Sequence, residues 1–279
     1  MTGTESLHTY SPEHAKLYFE RDMGEIELLA FYGGTATVFS MSSPSSEGVN
    51  EDAAALIPFD SSSAVLVVAD GAGGLQGGAQ ASRITVNKLR ETLGRSAESR
   101  DSLREGILEG IELANRTIGE LGIGAATTVA VAEIHGNKLR PYHAGDTQIL
   151  VLGSDSQVKH LTVSHSPTGY AVQMGLLDER QAMVHEDRHL LFNVVGIPDM
   201  RIEMGMEIDL VVGDTVVIAC DGLFDNLTPE EVAAHLRDND IGTCTKNLIE
   251  ACLERMNKRD RNHPSKPDDL TVITYRLGE

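Results

Sequence analysis

Val65-Leu66-Val67-Val68-Ala69-Asp70-Gly71-Ala72-Gly73-Gly74 is the stretch on which the reading of this chain turns. An apolar run this short, bounded by turn residues, reads as a strand buried on both faces. It ends on an aspartate and enters a glycine-rich turn, so a carboxylate stands at the mouth of a buried strand. The pattern recurs. Val216-Val217-Ile218-Ala219-Cys220 ends on Asp221-Gly222, and Gly145-Asp146-Thr147 separates one strand from the next, Gln148 to Leu152. Asp268-Asp269 stands directly before Leu270-Thr271-Val272-Ile273-Thr274.

A single Asp-Gly usually marks a turn, and Asn50-Glu51-Asp52 alone carries little. Recurrence is what matters. Carboxylates gathered at one sheet edge repel each other unless a cation sits among them. Hard divalent ions such as Mg²⁺ and Mn²⁺ take such oxygen ligands.

The rest of the chain supplies the frame. Ser11-Pro12-Glu13 offers a cap, a helix-starting proline and an early acid, after residues 1–10, which read as a frayed tail. Ile26 to Phe39 reads as strand, broken by a hairpin turn at Gly33-Gly34. Helices are expected from about Gln80 to Leu93 and along the face Leu103, Ile107, Ile111, Ala114, Ile118. Thr127 to Ile134 turns at Gly136-Asn137 into Leu139 to Ala144, and Val212 to Asp221 reads as another buried strand. Thr228-Pro229-Glu230-Glu231 carries a capping box, a later helix presents Leu248, Cys252 and Met256, and Leu270 to Leu277 is a last strand. Strands without regular helical crossovers, plus a few long helices, imply sheet packed on sheet with helices outside. Residues 153–207 are irregular, as lids and binding loops are. Their His165, His185 and His189 read as exposed or structurally bonded rather than as ligands.

Composition narrows the function. Among 279 residues, 42 acids oppose 23 bases for a formal charge of −19. Such a surface repels nucleic acid and anionic membranes and favours cations. The three cysteines, Cys220, Cys244 and Cys252, lack metal-ligand spacing, and Cys220 and Cys252 read as core residues. No basic segment followed by an apolar stretch opens the chain, and no apolar run approaches the roughly 18 residues of a membrane span, so a cytoplasmic protein is expected. Gly71 to Gly78 has neither a Gly-Lys-Ser/Thr ending nor a dinucleotide fingerprint. Without internal repeats or low-complexity linkers, residues 1–279 are expected to form a single domain.

Five segments, in order, carry a resemblance. They are Asn50-Glu51-Asp52, Val67 to Gly74, Gly124-Ala125-Ala126-Thr127-Thr128 with His143-Ala144-Gly145-Asp146, Ile218 to Asp225, and Asp268 to Ile273. Together they resemble the metal-dependent serine/threonine protein phosphatase family, type 2C, in its bacterial-like form. The resemblance implies an α+β fold, a four-layer α-β-β-α sandwich of two antiparallel β-sheets flanked by helices. It makes residues 1–24 an N-terminal extension and about 160–207 a variable flap. It implies two divalent metal ions, Mn²⁺ or Mg²⁺, with Asp70 bridging them, Asp221 and Asp268 holding the first, and the Gly71 carbonyl and Glu51 serving the second. Asp52 supports nearby. Asp146 and Asp225, with Asp221, match positions that hold a third ion in some members. The implied reaction is hydrolysis of phosphoserine or phosphothreonine on a protein substrate by a hydroxide bridging the two ions, carried out by a monomer.

Departures from the family pattern accompany the match. Glu47 stands where many relatives place a phosphate-clamping arginine, Ala72 where some place a histidine, and Gln148 where arginine is frequent. Ser164-His165-Ser166 lacks a preceding acid. Glu47 and Ala72 motivate a second reading, a catalytically silent phosphatase-like module that binds a phosphoprotein. The retained carboxylates oppose it, since mutually repelling acids serve no purpose in a silent module.

Overall fold

The computed structural model describes residues 5–6, 11–45, 48–72, 77–99, 102–238, 240–258 and 265–278. Glu47, Gly73, Gly74 and most of the expected tail lie outside these residues. The strands are β1 Glu5–Ser6, β2 Lys16–Phe19, β3 Glu27–Phe31, β4 Gly34–Met41, β5 Ala53–Pro58, β6 Ser63–Ala69, β7 Gly71–Ala72, β8 Ala126–Thr127, β9 Val129–His135 and β10 Lys138–Ala144. They continue with β11 Gln148–Leu152, β12 Val158–Leu161, β13 Glu203–Met204, β14 Ile208–Asp209, β15 Thr215–Ala219 and β16 Leu270–Leu277. The helices are α1 Gly78–Ser99, α2 Leu103–Glu120, α3 Pro167–Gln173, α4 Glu179–Met183, α5 Asp221–Phe224, α6 Pro229–His235 and α7 Ile241–Asn257, with a 3₁₀ turn at Pro12–His14 capped by Ser11.

Two large sheets stack. One runs β1-β3-β4-β16-β15-β11-β12, the other β13-β10-β9-β6-β5-β2 with β14 on β10. Their pairings are antiparallel apart from the parallel contact of β1 with β3. Strand alternation assigns each side chain to a layer. On β6, Ala64, Leu66 and Val68 join Val38, Ile149, Val216, Ile218 and Ile273 in the core between the sheets. Val65, Val67 and Ala69 face the other way, against Leu89, Leu93, Ile107 and Ile111 of α1 and α2. Across the molecule, Val217, Ala219 and Val272 pack on Leu248, Ile249 and Cys252 of α7. Both faces of the central strands are therefore dry, which is why they read as unbroken apolar runs. Residues 16–19, in the stretch expected as an extension, form the edge of the second sheet through pairing with β5.

The helices follow their local signals. A capping box joins Ser102 and Glu105 at the start of α2, and another joins Thr228 and Glu231 at the start of α6. Helices α1 and α2 approach closely because Gly110 has no side chain: a Cβ there would lie 2.6 Å from Thr92 Oγ1. Helix α1 continues past the expected end at Leu93 because Gly94 faces open space and costs only its propensity. One strand needs correction. Val212 to Asp221 was expected as strand, but the strand is Thr215–Ala219. Val211 and Val212 are exposed, Gly213 turns the chain at φ 89°, and Asp221 opens α5. No helix among the described residues is long and apolar enough to cross a membrane.

Candidate active site

Strand register brings the acids together. In the first sheet β11, β15 and β16 are neighbours, with Gln148 opposite Ala219 and Ala219 opposite Val272. Asp146, Asp221 and Asp268 consequently leave the same end of three adjacent strands. In the second sheet Ala53 lies opposite Ala69, so Asp52 and Asp70 flank one rung at the corresponding end. Asp225 sits one helical turn beyond Asp221, its N–H donating to the Asp221 carbonyl at 2.8 Å.

Backbone hydrogen bonds fix this arrangement. Thr127 Oγ1 donates to the Asp70 carbonyl at 2.7 Å, the Thr128 N–H donates to it at 2.8 Å, and the Asp70 N–H donates to Thr128 Oγ1 at 3.2 Å. The Thr-Thr pair picked out in the sequence thus serves to hold Asp70. Glu51 is held by Asp269, whose Oδ2 accepts its N–H at 2.6 Å while Oδ1 accepts the Ser43 N–H at 2.8 Å. Ser82 Oγ donates to the Glu51 carbonyl at 2.5 Å. Buried Asn50 accepts the Asp52 N–H and donates to Ser40 Oγ and the Arg21 carbonyl.

The electrostatics are those of crowded anions. Burial, and then the carboxylates of Asp52, Asp221, Asp146 and Asp268, push Asp70 well above the usual carboxylate range. Burial and the Asp221 and Asp225 charges raise Asp146, and burial with Asp221 raises Asp225 and Asp268. Burial also raises Asp52, against the opposing effect of hydrogen-bonding Thr271 and Cys220. Glu51 is raised by burial and by Asp269 and Asp268. Such a site calls for positive charge.

The donor set fits hard divalent ions. Glu51 and the Gly71 carbonyl converge over Gly78, where an added Cβ would lie 2.6 Å from Glu51 Oε2 and 2.8 Å from the Gly71 oxygen. One side of the cluster thus offers a carboxylate and a carbonyl across a gap only glycine leaves open. Cys220, whose ligand atom lies within 4.8 Å of those of Asp52 and Asp70, is a structural thiol. Burial raises its pKa, its Sγ donates to the Asp269 carbonyl, and it accepts the Thr271 N–H.

A cation is already present. Lys266 Nζ pairs with Asp221 Oδ2, lies 3.0 Å from Asp225 Oδ2 and 3.1 Å from Asp268 Oδ2. Burial acts to lower its pKa, but these three carboxylates override that and raise it. No motif in the linear sequence marks Lys266. Its position two residues before Asp268, across Pro267, was the available signal.

A cavity of about 220 Å³ opens beside the acids. Asp146, Asp221 and Asp225 line it together with Ser164, Ser166, Thr168 and Arg188 from the irregular stretch, Arg188 being the one Lys or Arg among its lining residues. Gln148 is occupied there, donating to the Thr162 carbonyl at 2.7 Å. His165 is buried and structurally bonded: Nδ1 accepts the Gly145 N–H at 3.1 Å and Nε2 meets Glu203 at 3.0 Å. Its ring stacks on that of His143, with centroids 4.4 Å apart.

Comparison with known proteins shows the family. The family model described as protein phosphatase 2C matches residues 42–256. A putative protein phosphatase 2C-type protein of Streptococcus pyogenes is 30% identical over 180 residues, 62% of this chain and 72% of that protein. Protein phosphatase PhpP of Streptococcus pneumoniae is 26% identical over 77% of this chain and 86% of its own. The structure of the Streptococcus agalactiae serine/threonine phosphatase superposes with a TM-score of 0.73 at 25% identity, over 87% of this chain and 98% of that one. The matched family model takes in β5 to β15 and all but one of the acid-bearing strand ends, and on that evidence the chain belongs to the protein phosphatase 2C family of metal-dependent serine/threonine phosphatases.

Proposed function

We propose that this chain hydrolyses phosphoserine and phosphothreonine in proteins, using two divalent ions, Mn²⁺ or Mg²⁺, held by the acids at the shared end of its two sheets. The observation that carries the reading is the convergence of Asp70, Asp146, Asp221, Asp225 and Asp268, each of the first two raised by burial and then by its neighbours' charge. Asp70, beside Asp52, Asp146, Asp221 and Asp268, would be a ligand to both ions. Asp221 and Asp268 would hold the first, and Glu51 with the Gly71 carbonyl would hold the second. Bound there, the ions supply the charge that activates water and neutralises the phosphoryl oxygens. The chain's part is positioning: Asp269 fixes Glu51, and Thr127 with Thr128 fixes Asp70. The cavity beside the acids receives the phosphorylated segment, and Arg188 on its wall supplies the charge that Glu47 does not. Ala72 has no proton to give, so the leaving oxygen takes its proton from water.

The same reading treats the chain as one phosphatase domain with residues 160–207 as the flap, acting as a monomer in the cytoplasm. Three buried free cysteines and a charge of −19 are consistent with that setting.

The test is Mn²⁺-dependent hydrolysis of a phosphothreonine peptide and of an aryl phosphate. Activity should vanish with chelator and fall at least about 100-fold in Asp70→Asn and in Asp221→Asn, as when a metal site is lost. Metal-independent hydrolysis would contradict the mechanism. Folded, Mn²⁺-loaded protein that cleaves neither substrate would leave the silent phosphoprotein-binding module as the better description.

A further inference from the structure

Lys266 is fixed with respect to the carboxylates it touches. Its N–H donates to Asn226 Oδ1 at 2.9 Å, and Asn226 Nδ2 donates to its carbonyl at 2.8 Å. The same amide nitrogen donates at 2.9 Å to the carbonyl of Gly222, in the helix that carries Asp221. Asn226 is fully buried, so this clamp is rigid. Pro267 follows, locking its own φ and holding Lys266 in extended backbone. The lysine therefore arrives by construction rather than by the swing of a surface side chain.

Its ammonium touches Asp225, which belongs to the outer ion position alone, as well as Asp221 and Asp268, and its charge reaches the remaining outer residue, Asp146. An ammonium is a compact point charge, closer to a metal ion in shape than a guanidinium is. We propose that Lys266 is a tethered cation filling the outer position of the acidic cluster in place of a third divalent ion, so that this chain completes its site with two. The inference rests on the metallophosphatase reading above.

The experiment is a Mn²⁺ binding titration, by equilibrium dialysis and by the spin-resonance signal of free Mn²⁺, on the full chain and on Lys266→Met and Lys266→Arg. The wild type and Lys266→Arg should bind two ions, and Lys266→Met should bind a third, more weakly. The metal-free Lys266→Met protein should melt several degrees below wild type, and saturating Mn²⁺ should close that gap. The backbone clamp through Asn226 does not involve the side chain, so the variant retains its loop. Three ions on the wild type, or two on Lys266→Met with unchanged affinities, would overturn the proposal. So would a tighter first ion without a third, which would make Lys266 a competitor for the Asp221 and Asp268 position. A wild type that binds no Mn²⁺ would instead remove the metal reading itself, and this inference with it.

Discussion

The carboxylate of Asp269 accepts the backbone N–H of Glu51 at 2.6 Å, joining residues 218 positions apart. That bond links the start of the last strand of one sheet to the approach of β5 in the other. Asp269 bridges the sheets at the point where the acids meet, and its second oxygen holds Ser43 as well.

Asp269→Ala should leave both N–H groups without their acceptor. Each such loss costs about 1–3 kcal/mol when the donor is cut off from water. Chemical denaturation should show a loss in that range, and Mn²⁺ titration should show the ion nearer Glu51 weakened about 10- to 100-fold. A variant with wild-type affinity for both ions would show that the staple does not position Glu51.

Gly78→Ala tests the gap between Glu51 and the Gly71 carbonyl. Alanine is the better helix former by about 1 kcal/mol, yet its Cβ would stand 2.6 Å from Glu51 Oε2. The expected outcome is a protein of near-wild-type helicity by circular dichroism whose weaker Mn²⁺ ion is lost or loosened about tenfold or more. Unchanged binding would mean that Glu51 and Gly71 do not share an ion.

Arg188→Ala should separate substrate handling from metal handling. Arg188 lines the cavity, its charge reaches Asp225, and its guanidinium donates to the His185 carbonyl at 3.5 Å. Loss of one charge-assisted bond to phosphate, about 1.5–3 kcal/mol, corresponds to about a tenfold or greater fall in kcat/KM for a phosphopeptide. Steady-state kinetics should assign most of it to KM, with Mn²⁺ affinity unchanged.

His143 governs part of the acid limit of stability. Burial, and then the neighbouring His165, lower its pKa from 6.5 to about 4. Between those values the unfolded chain takes up a proton that the folded protein refuses, so stability falls as pH drops through that window. Burial lowers His160 too, adding to the same limb. In His143→Gln, which keeps a donor for the Val163 carbonyl, urea midpoints should decline less between pH 6.5 and about 4 than in wild type. Parallel profiles would refute the assignment.

Much of the frame was legible in the linear order of residues. The run Val65 to Ala69, the capping box at Thr228 and Glu231, and the helical stripe from Leu103 to Ile118 are short-range signals, set by side-chain alternation and by capping within a turn. That aspartates stand at the ends of several buried runs was legible for the same reason. Which of these aspartates meet was a matter of register: Ala219 opposite both Gln148 and Val272 places Asp146, Asp221 and Asp268 together. Register is set by packing between segments far apart in the chain, which local pattern does not encode. Asp269 as the clamp on Glu51, and Lys266 as the cation among Asp221, Asp225 and Asp268, belong wholly to the tertiary structure. Each is one polar side chain in an ordinary loop setting until the fold closes the distance and removes the water that would screen its charge.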